Sequence, residues 1–212
     1  MENTNEEFEI LGLNHVAMVC SDMAKTIDFY TNVLGLKLTK SFDLPGGLGQ
    51  HFFFSMGGRE CLAFFWFTEA QDRIPGISNP RANIDPAKVF EDPTAITSSH
   101  GSMNHFAFNV PADKIDGYRQ KLLDKGVDVS PLMHHDNSEM QASDDVHAGT
   151  WVSSIYFTDP DGILLEFAAW RREFGDQHGD VNDTKGATPA DVPKYRQVTQ
   201  EFAKKMMETE PA

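Results

Sequence analysis

The feature that most constrains this fold is an apolar, strand-like segment that occurs twice, each time with Asn-His at its start. Residues 14–18 read NHVAM and residues 104–108 read NHFAF, so His15 and His105 occupy matching positions. A carboxylate, Glu166, interrupts a third apolar segment, GILLEFA at residues 162–168. Because matching strands of a repeat take equivalent places, we expect these three residues to meet. Two histidines and one carboxylate form the ligand set of a mononuclear metal site with open coordination positions.

The order of predicted elements is the same around both copies, namely one strand, one helix and three strands. Ser21 and Asp22 are candidate N-caps of the first helix, and the glycines at 35 and 126 follow the apolar stripes of the two predicted helices. The predicted strands lie near residues 12–20, 36–42, 50–56 and 60–67 in the first copy, and near 104–110, 127–132, 151–158 and 162–169 in the second. The pattern predicts an α+β fold built from two βαβββ modules.

One domain is therefore expected at residues 10–170, with module 1 at about 10–67 and module 2 at about 101–170. A polar, proline-bearing insertion at 68–100 separates the modules, and the loop near 133–150 lengthens the second one. The C-terminal tail, 171–212, contains a candidate amphipathic helix, whose apolar stripe is Tyr195, Val198, Phe202 and Met206.

Composition excludes several partners. A net charge of −14 argues against binding to nucleic acid and to an anionic membrane surface, because both carry negative charge. No apolar run approaches the roughly 18–20 residues that span a bilayer, and the acidic N-terminus does not look like a secretory signal. The two cysteines lie in strand-like runs, which favours a reduced, cytoplasmic protein without a disulfide framework.

Paired βαβββ modules with ligands on their first and last strands resemble the vicinal oxygen chelate superfamily, which includes glyoxalases, fosfomycin-resistance transferases and extradiol dioxygenases. The resemblance covers roughly residues 10–170 and implies that the two βαβββ modules form a half-open barrel around a metal site. One stretch, His147-x8-Tyr156-x2-Asp159-Pro160-x-Gly162-x3-Glu166, is similar to the signature of the extradiol dioxygenases. The resemblance implies that His15, His105 and Glu166 bind the metal, and that His147 and Tyr156 lie beside the substrate.

Two further positions help to decide to which branch of the superfamily this chain is most similar. The glyoxalase and epimerase branches place a fourth ligand where this chain has Ala63, so its absence favours a dioxygenase. The ring-cleaving enzymes, however, keep an acid–base histidine at the start of that strand, where this chain has Glu60 and Cys61. His51 on the neighbouring strand is the candidate replacement, because histidine titrates near neutral pH.

The leading prediction is thus a metal-dependent dioxygenase that cleaves a catechol-like aromatic vicinal diol, with Fe(II) as the favoured metal. One alternative is a Mn(II)- or Zn(II)-dependent transferase, lyase or isomerase of the glyoxalase superfamily. Another is a protein that binds a small molecule without transforming it. All three hypotheses predict a small-molecule ligand, and the leading one predicts that this ligand is aromatic. We also expect a homo-oligomer, with a dimer favoured; whether the modules pair within one chain or across a dimer stays open.

Overall fold

The computed structural model describes residues 13–74, 78, 98–138 and 141–172, together with the helical positions 193, 194, 197, 201 and 204. These residues divide between two compact units. The first unit holds residues 13–74 and the turn Thr158–Ile163, and the second holds residues 98–157 and 164–172. The four residues of the amphipathic stripe in the tail lie outside the described residues. Among the described residues, no helix has the length and apolarity needed to cross a membrane.

The first unit is a four-stranded sheet with a helix on one face. Its strands occur in the spatial order β1-β4-β3-β2, where β1 and β4 are parallel and the other neighbours antiparallel. The elements are β1 (His15–Val19), α1 (Met23–Asp28), a π-helical turn (Phe29–Val33), β2 (Lys37–Asp43), a short 3-10 turn (Pro45–Gly47), β3 (Gly49–Ser55) and β4 (Cys61–Phe67).

Local chemistry explains where the first helix begins and ends. The Asp22 side chain accepts a hydrogen bond from the backbone N–H of Lys25, so Asp22 is the N-cap of the two candidates. The last turn widens into a π-helix, in which the N–H of Leu34 bonds to the carbonyl of Phe29. Gly35 then adopts a φ of +75°, a left-handed conformation that ends the helix at low steric cost.

The core of the first unit lies between this helical segment and one face of the sheet. Tyr30 is fully buried there, with its ring 5.4 Å from that of Phe54 and 4.9 Å from that of Phe64. Since side chains alternate along a strand, the neighbours Phe53, Ala63 and Phe65 lie on the opposite face together with His15. That second face is the one available for a functional site.

The second unit repeats the arrangement, with strand order β5-β8-β7-β6 and β5 parallel to β8. Its elements are β5 (Phe106–Asn109), α2 (Ile115–Asp124), β6 (Met133–His135), β7 (Val152–Thr158) and β8 (Leu164–Trp170). The two mixed four-stranded sheets confirm the α+β fold class and the duplicated module. One predicted strand position is wrong. The segment at 127–132, predicted as a strand, makes only an isolated bridge at Val129, and the regular strand begins at Met133.

Candidate metal and substrate site

The central pair of the site is His105 and Glu166 in the second unit. Ala107 on β5 is the register partner of Glu166 on β8, and alternation places His105 on the same face two residues earlier. The two side chains meet with His105 Nε2 3.0 Å from Glu166 Oε2. The sequence therefore brings together two of the three predicted ligands through strand register alone.

Glu166 is a buried carboxylate, only 6% exposed, in a strand whose other side chains are apolar. Burial alone raises its pKa, but the hydrogen bond with His105, the nearby Ser154 hydroxyl and the hydroxyl of Tyr156 more than offset that effect, so the pKa lies below its ordinary value. Glu166 is accordingly ionised at neutral pH and carries a buried negative charge that calls for a cation or strong donors.

Tyr156 and Ser154 lie on β7 beside this carboxylate. The Tyr156 ring meets the His105 ring edge to face, with centroids 5.8 Å apart. Burial and then the charge of Glu166 raise the pKa of Tyr156, so its hydroxyl keeps its proton and acts as a donor. Ser154 is fully buried, and its Oγ is the one buried side-chain polar atom among the described residues that lacks a partner at hydrogen-bonding geometry.

These observations fit a divalent metal. Two ligands at right angles around an ion, with bonds of about 2.1 Å, lie about 3.0 Å apart. That is the distance observed between the nitrogen of His105 and the oxygen of Glu166. The same distance also suits a direct hydrogen bond when that nitrogen carries a proton. The Ser154 hydroxyl, which has no partner at hydrogen-bonding geometry, adds a further polar atom near Glu166.

His15 lies in the first unit, at the start of β1, with an exposed side chain. Its Nδ1 bonds to the side-chain oxygen of Asn14 at 2.7 Å, and its ring lies 5.7 Å from that of Phe53. In this sheet Ala63 pairs with Ala17, the same register that joins Glu166 to Ala107 in the other sheet. The alignment of Ala63 with Glu166 is therefore confirmed.

His51 lies on the same face of the first unit, buried among phenylalanine rings. Its ring stacks parallel to that of Phe65 with centroids 3.7 Å apart, and Phe53 and Phe42 lie at 4.3 and 5.4 Å. Its Nδ1 donates a hydrogen bond to the carbonyl oxygen of Phe64 at 2.7 Å. A carbonyl only accepts, so Nδ1 holds the proton and Nε2 carries the lone pair.

His147 has both ring nitrogens engaged within its own loop. Gly149 donates its N–H to Nδ1 at 3.0 Å, which leaves the proton on Nε2, and Nε2 donates to Asp136 Oδ2 at 2.8 Å. Asp136 is nearly buried, and the hydroxyl and N–H of Ser138 followed by His147 lower its pKa. The loop is thus fastened by a histidine–aspartate bond, while a role for His147 beside a substrate stays a prediction.

The structure assembles the predicted site in part. Within each unit, no three described His, Cys, Asp or Glu side chains are grouped so as to hold a metal ion. His105, Glu166 and Tyr156 come together in the second unit, and His15 and His51 share a face in the first. The three-ligand metal site therefore stays a prediction after the geometry is known.

Sequence reasoning overlooked three residues of this region: Asn14, Asn104 and Asp136. The two asparagines precede the two histidines in the repeat, and Asn104 Oδ1 bonds to His105 Nδ1 at 2.8 Å as Asn14 does to His15. That signal was visible in the sequence. The partnership of Asp136 with His147 depends on the path of a loop, and no local pattern indicates it.

The Glyoxalase/Bleomycin resistance protein/Dioxygenase superfamily model matches residues 12–167, which contain both modules. The chain belongs to this superfamily. A solved structure of a glyoxalase family protein from Enterococcus faecalis matches with a TM-score of 0.51 and 20% identity, and covers 74% of this chain and 97% of that one. At this identity the match supports the fold alone.

Two curated members of the superfamily are similar over most of their length. The chain is 27% identical to the metallothiol transferase FosB of Shouchella clausii over 156 residues, which are 73% of this chain and 77% of that protein. It is 26% identical to FosB of Bacillus licheniformis over 168 residues, which are 76% and 77% of the two chains.

These relatives correct the leading functional prediction. The assignment to the extradiol ring-cleaving dioxygenases, with an oxidoreductase acting in aromatic catabolism, is wrong, because the matched relatives are thiol transferases. The transferase alternative agrees with them. The preference for Fe(II) over Mn(II) and Zn(II) rested on the dioxygenase prediction and loses its basis with it.

Proposed function

We propose that this protein is a metal-dependent transferase that joins a low-molecular-weight thiol to a small electrophilic molecule. The observation that carries the proposal is the contact of His105 with the ionised, buried Glu166 on the open face of the second sheet. The similarity to two metallothiol transferases supplies the reaction class. Neither observation depends on the other.

In this proposal, His15, His105 and Glu166 hold one divalent metal, with Mn(II) or Zn(II) as candidates beside Fe(II). When bound, the metal acts as a Lewis acid on an oxygen of the electrophile. The buried charge of Glu166 offsets part of the charge of the ion, and the low exposure of this carboxylate limits competition from water.

Tyr156 and Ser154 orient the electrophile. The hydroxyl of Tyr156 stays protonated near neutral pH, so it can turn from Glu166 and donate its hydrogen bond to an oxygen of the electrophile. Ser154 offers a buried hydroxyl that a ligand oxygen can satisfy. Together they favour a substrate that carries oxygen atoms over a purely apolar one.

The transfer itself needs one proton movement and no redox partner. The thiol sulfur forms a bond to carbon, the bond from that carbon to oxygen breaks, and the proton of the thiol ends on the released oxygen. His51 is the candidate carrier of this proton, because its Nε2 keeps a lone pair while Nδ1 is fixed by Phe64. His147 retains its place in the proposal as a residue that shapes the substrate pocket.

The deciding experiment combines metal binding with thiol transfer. Purified protein is titrated with Mn(II) by calorimetry, and thiol consumption is followed with a panel of small thiols and epoxides while the adduct is identified by mass. Glu166→Gln should weaken Mn(II) binding by about 100-fold or more, since losing an outer partner alone costs 10–100-fold. Glu60→Gln is the matched control and should bind as the parent does.

Two further results bear on the remaining assignments. His51→Gln should lower turnover by roughly 100-fold, the usual size of a lost acid or base, with metal affinity unchanged. Sedimentation of the same sample tests the expected dimer. Unchanged Mn(II) affinity in Glu166→Gln would refute the metal assignment, and a metal-loaded protein that forms no adduct across the panel would refute thiol transfer.

A further inference from the structure

A buried polar cluster in the second unit takes no part in the proposed chemistry. His134 on β6 is only 6% exposed, and its register partner on β7 is the fully buried Ser153. His134 Nδ1 lies 2.7 Å from Ser153 Oγ, and Arg171 Nε donates to the same oxygen at 2.7 Å. One hydroxyl group therefore links a histidine on the edge strand of the sheet to an arginine that directly follows β8.

A count of donors gives the direction of both hydrogen bonds. A guanidinium N–H only donates, so Ser153 Oγ accepts from Arg171 and still has its own hydrogen to donate. In the described part of the chain, the acceptor at hydrogen-bonding distance from this hydroxyl group is His134 Nδ1. Neutral His134 therefore carries its lone pair on Nδ1 and its proton on Nε2, which satisfies the donors of both other residues.

Protonation of His134 is incompatible with this arrangement. A hydrogen on Nδ1 would point at an oxygen that already accepts from Arg171, so two positive groups would share one hydroxyl group, whose own hydrogen would lose its acceptor. Burial and then the charge of Arg171 lower the pKa of His134, and His135 acts in the same direction. Asp116 on α2 and Asp145 in the loop after β6 raise this pKa without reversing the shift.

The strand that carries His134 has few other attachments. β6 contains three residues and lies at the edge of its sheet. It pairs with the loop that follows it, because the N–H of Ser143 donates to the carbonyl oxygen of His134 at 2.9 Å. Gln141 in this loop has a φ of +55°, which is uncommon for a residue other than glycine, so the shape of the loop depends on such bonds. We call β6 and residues 141–150 together the flap.

We propose that His134 is a pH-sensitive latch, which holds the flap on β7 while the histidine is neutral and releases it when the histidine is protonated. Met133 on β6 is the register partner of Ser154, so release changes the access to that fully buried hydroxyl group. Protonation of His147, also in the flap, would instead put a positive charge against the carboxylate of Asp136 and tighten the loop. The latch involves the second unit alone and does not depend on the proposed metal or transferase function.

The pH range of release follows from the two pKa values of His134. In the released state this histidine titrates near the ordinary value of 6.5, whereas in the latched state its pKa is lower. The latched state therefore has its full stability above about pH 6.5 and loses it as the pH falls towards the lower pKa. Because one proton is bound on release, the ratio of latched to released protein should fall by about tenfold per pH unit within that range.

The test is amide hydrogen exchange of the intact, metal-free protein from pH 5 to 8, expressed as protection factors that are corrected for the intrinsic exchange rate. The amides of Ser143 and Trp151, which bond to the carbonyl oxygens of His134 and His135, report the flap, and the amides of α2 report the rest of the unit. Flap protection should fall by about tenfold per pH unit below about pH 6.5 while α2 stays protected. NMR titration of the His134 ring should give a pKa below 6.5.

Three variants assign the effect to the cluster. His134→Gln keeps an acceptor for Ser153 but binds no proton, so flap protection should become independent of pH. Arg171→Gln removes the neighbouring positive charge, so the pKa of His134 should rise towards 6.5 and the loss of protection at low pH should shrink. His100→Gln is the matched control, because it removes an exposed histidine of the same unit outside the flap and should keep the pH dependence of the parent.

A flap protection that falls at low pH in the parent and is constant in His134→Gln supports the latch. Constant protection in the parent, an equal loss in α2, or a pH dependence that persists in His134→Gln would overturn it, as would a His134 that titrates at or above pH 6.5. Should His134→Gln fail to fold, Arg171→Gln decides the question. A raised pKa of His134 together with an unchanged loss of flap protection in that variant would equally overturn the latch.

Discussion

The turn between β7 and β8 contains a buried carboxyl group, Asp159, whose replacement by asparagine should stabilise the protein above about pH 6. Asp159 is 4% exposed. Its Oδ1 accepts the N–H groups of Asp161 and Ile163 at 2.9 and 2.8 Å, and its Oδ2 accepts the hydroxyl of Tyr30 at 3.2 Å. Burial raises the pKa of Asp159 to about 6 in spite of these donors, with a further contribution from the charge of Asp161.

The direction in which stability changes with pH follows from the pKa of Asp159 in the folded and unfolded states. The folded protein binds the proton of Asp159 more tightly than the unfolded chain, whose aspartates titrate near 3.8. Stability from this group is therefore complete below about pH 4, falls as pH rises towards 6, and stays low above that. A shift of about two pKa units corresponds to about 3 kcal/mol of unfolding free energy.

Asparagine resembles the protonated carboxyl group and carries no charge. In Asp159→Asn the amide oxygen can accept both backbone N–H groups, and the amide nitrogen can donate to the oxygen of Tyr30. The difference in unfolding free energy between variant and parent should thus rise by about 2.5 kcal/mol from pH 4 to pH 7, which is most of the full effect. Any constant effect of the substitution cancels from this pH dependence.

The assay is urea-induced unfolding of both proteins at half-unit intervals from pH 4 to 8, with carbon NMR of the Asp159 carboxyl group as a direct titration. Tyr30→Phe is the informative companion, because loss of the hydroxyl donor should raise the pKa of Asp159 further and move the transition to higher pH. A difference that is flat across the range, or a carboxyl group that titrates near pH 4, would refute the reasoning.

Three glycine substitutions test the space around the backbone in strand β3, in helix α2 and in the loop that contains His147. Gly49→Ala should cost about 3 kcal/mol or more by chemical unfolding, because its Cβ would lie 1.8 Å from the carbonyl oxygen of Trp66, and an unperturbed melting curve would contradict this close approach. Gly117→Ala, on α2 with nothing within 4 Å of the added atom, should instead stabilise by about 0.5–1 kcal/mol, and a loss of stability would show that the helix surface is not open there. Gly149→Ala should push a methyl group to 3.0 Å from His147 Cε1 and speed amide exchange in the loop around Asp136, whereas unchanged exchange would mean that the bond to His147 does not fasten the loop.

Much of the fold could be predicted because it depends on local signals. The Asp22 cap, the turn glycines and the alternation of apolar residues identified the modules, and the repeat gave the equivalence of Ala63 and Glu166. The π-helical turn at Phe29–Val33 was not predicted, since the apolar stripe of that helix fits α-helical spacing equally well. The strand at Met133 was displaced from its predicted place because Val127 and Val129 are apolar without entering a regular ladder.

The wrong branch assignment has a specific physical cause in the β7–β8 hairpin. Asp159 bonds to Ile163 near the turn and Arg171 bonds to Trp151 at the far end, with one common register that places Tyr156 directly opposite Glu166. The separation of the tyrosine from the glutamate in the sequence is therefore imposed by the turn and by strand pairing. Any chemistry that uses a ligand on β8 and a donor beside it on β7 produces the same spacing.

The spacing consequently indicates a hairpin geometry rather than a reaction. A residue that distinguishes one reaction from another must lie at a position that the hairpin does not fix. His51 on β3 is one such residue, and the pairing of His147 with Asp136 in its loop is another such feature. His147, the histidine that completed the dioxygenase-like pattern, has both ring nitrogens in hydrogen bonds within the loop, one to Asp136 and one from Gly149. The residue that made the pattern look specific therefore has both ring nitrogens bonded within its own loop, and its spacing from Tyr156 indicates no particular reaction.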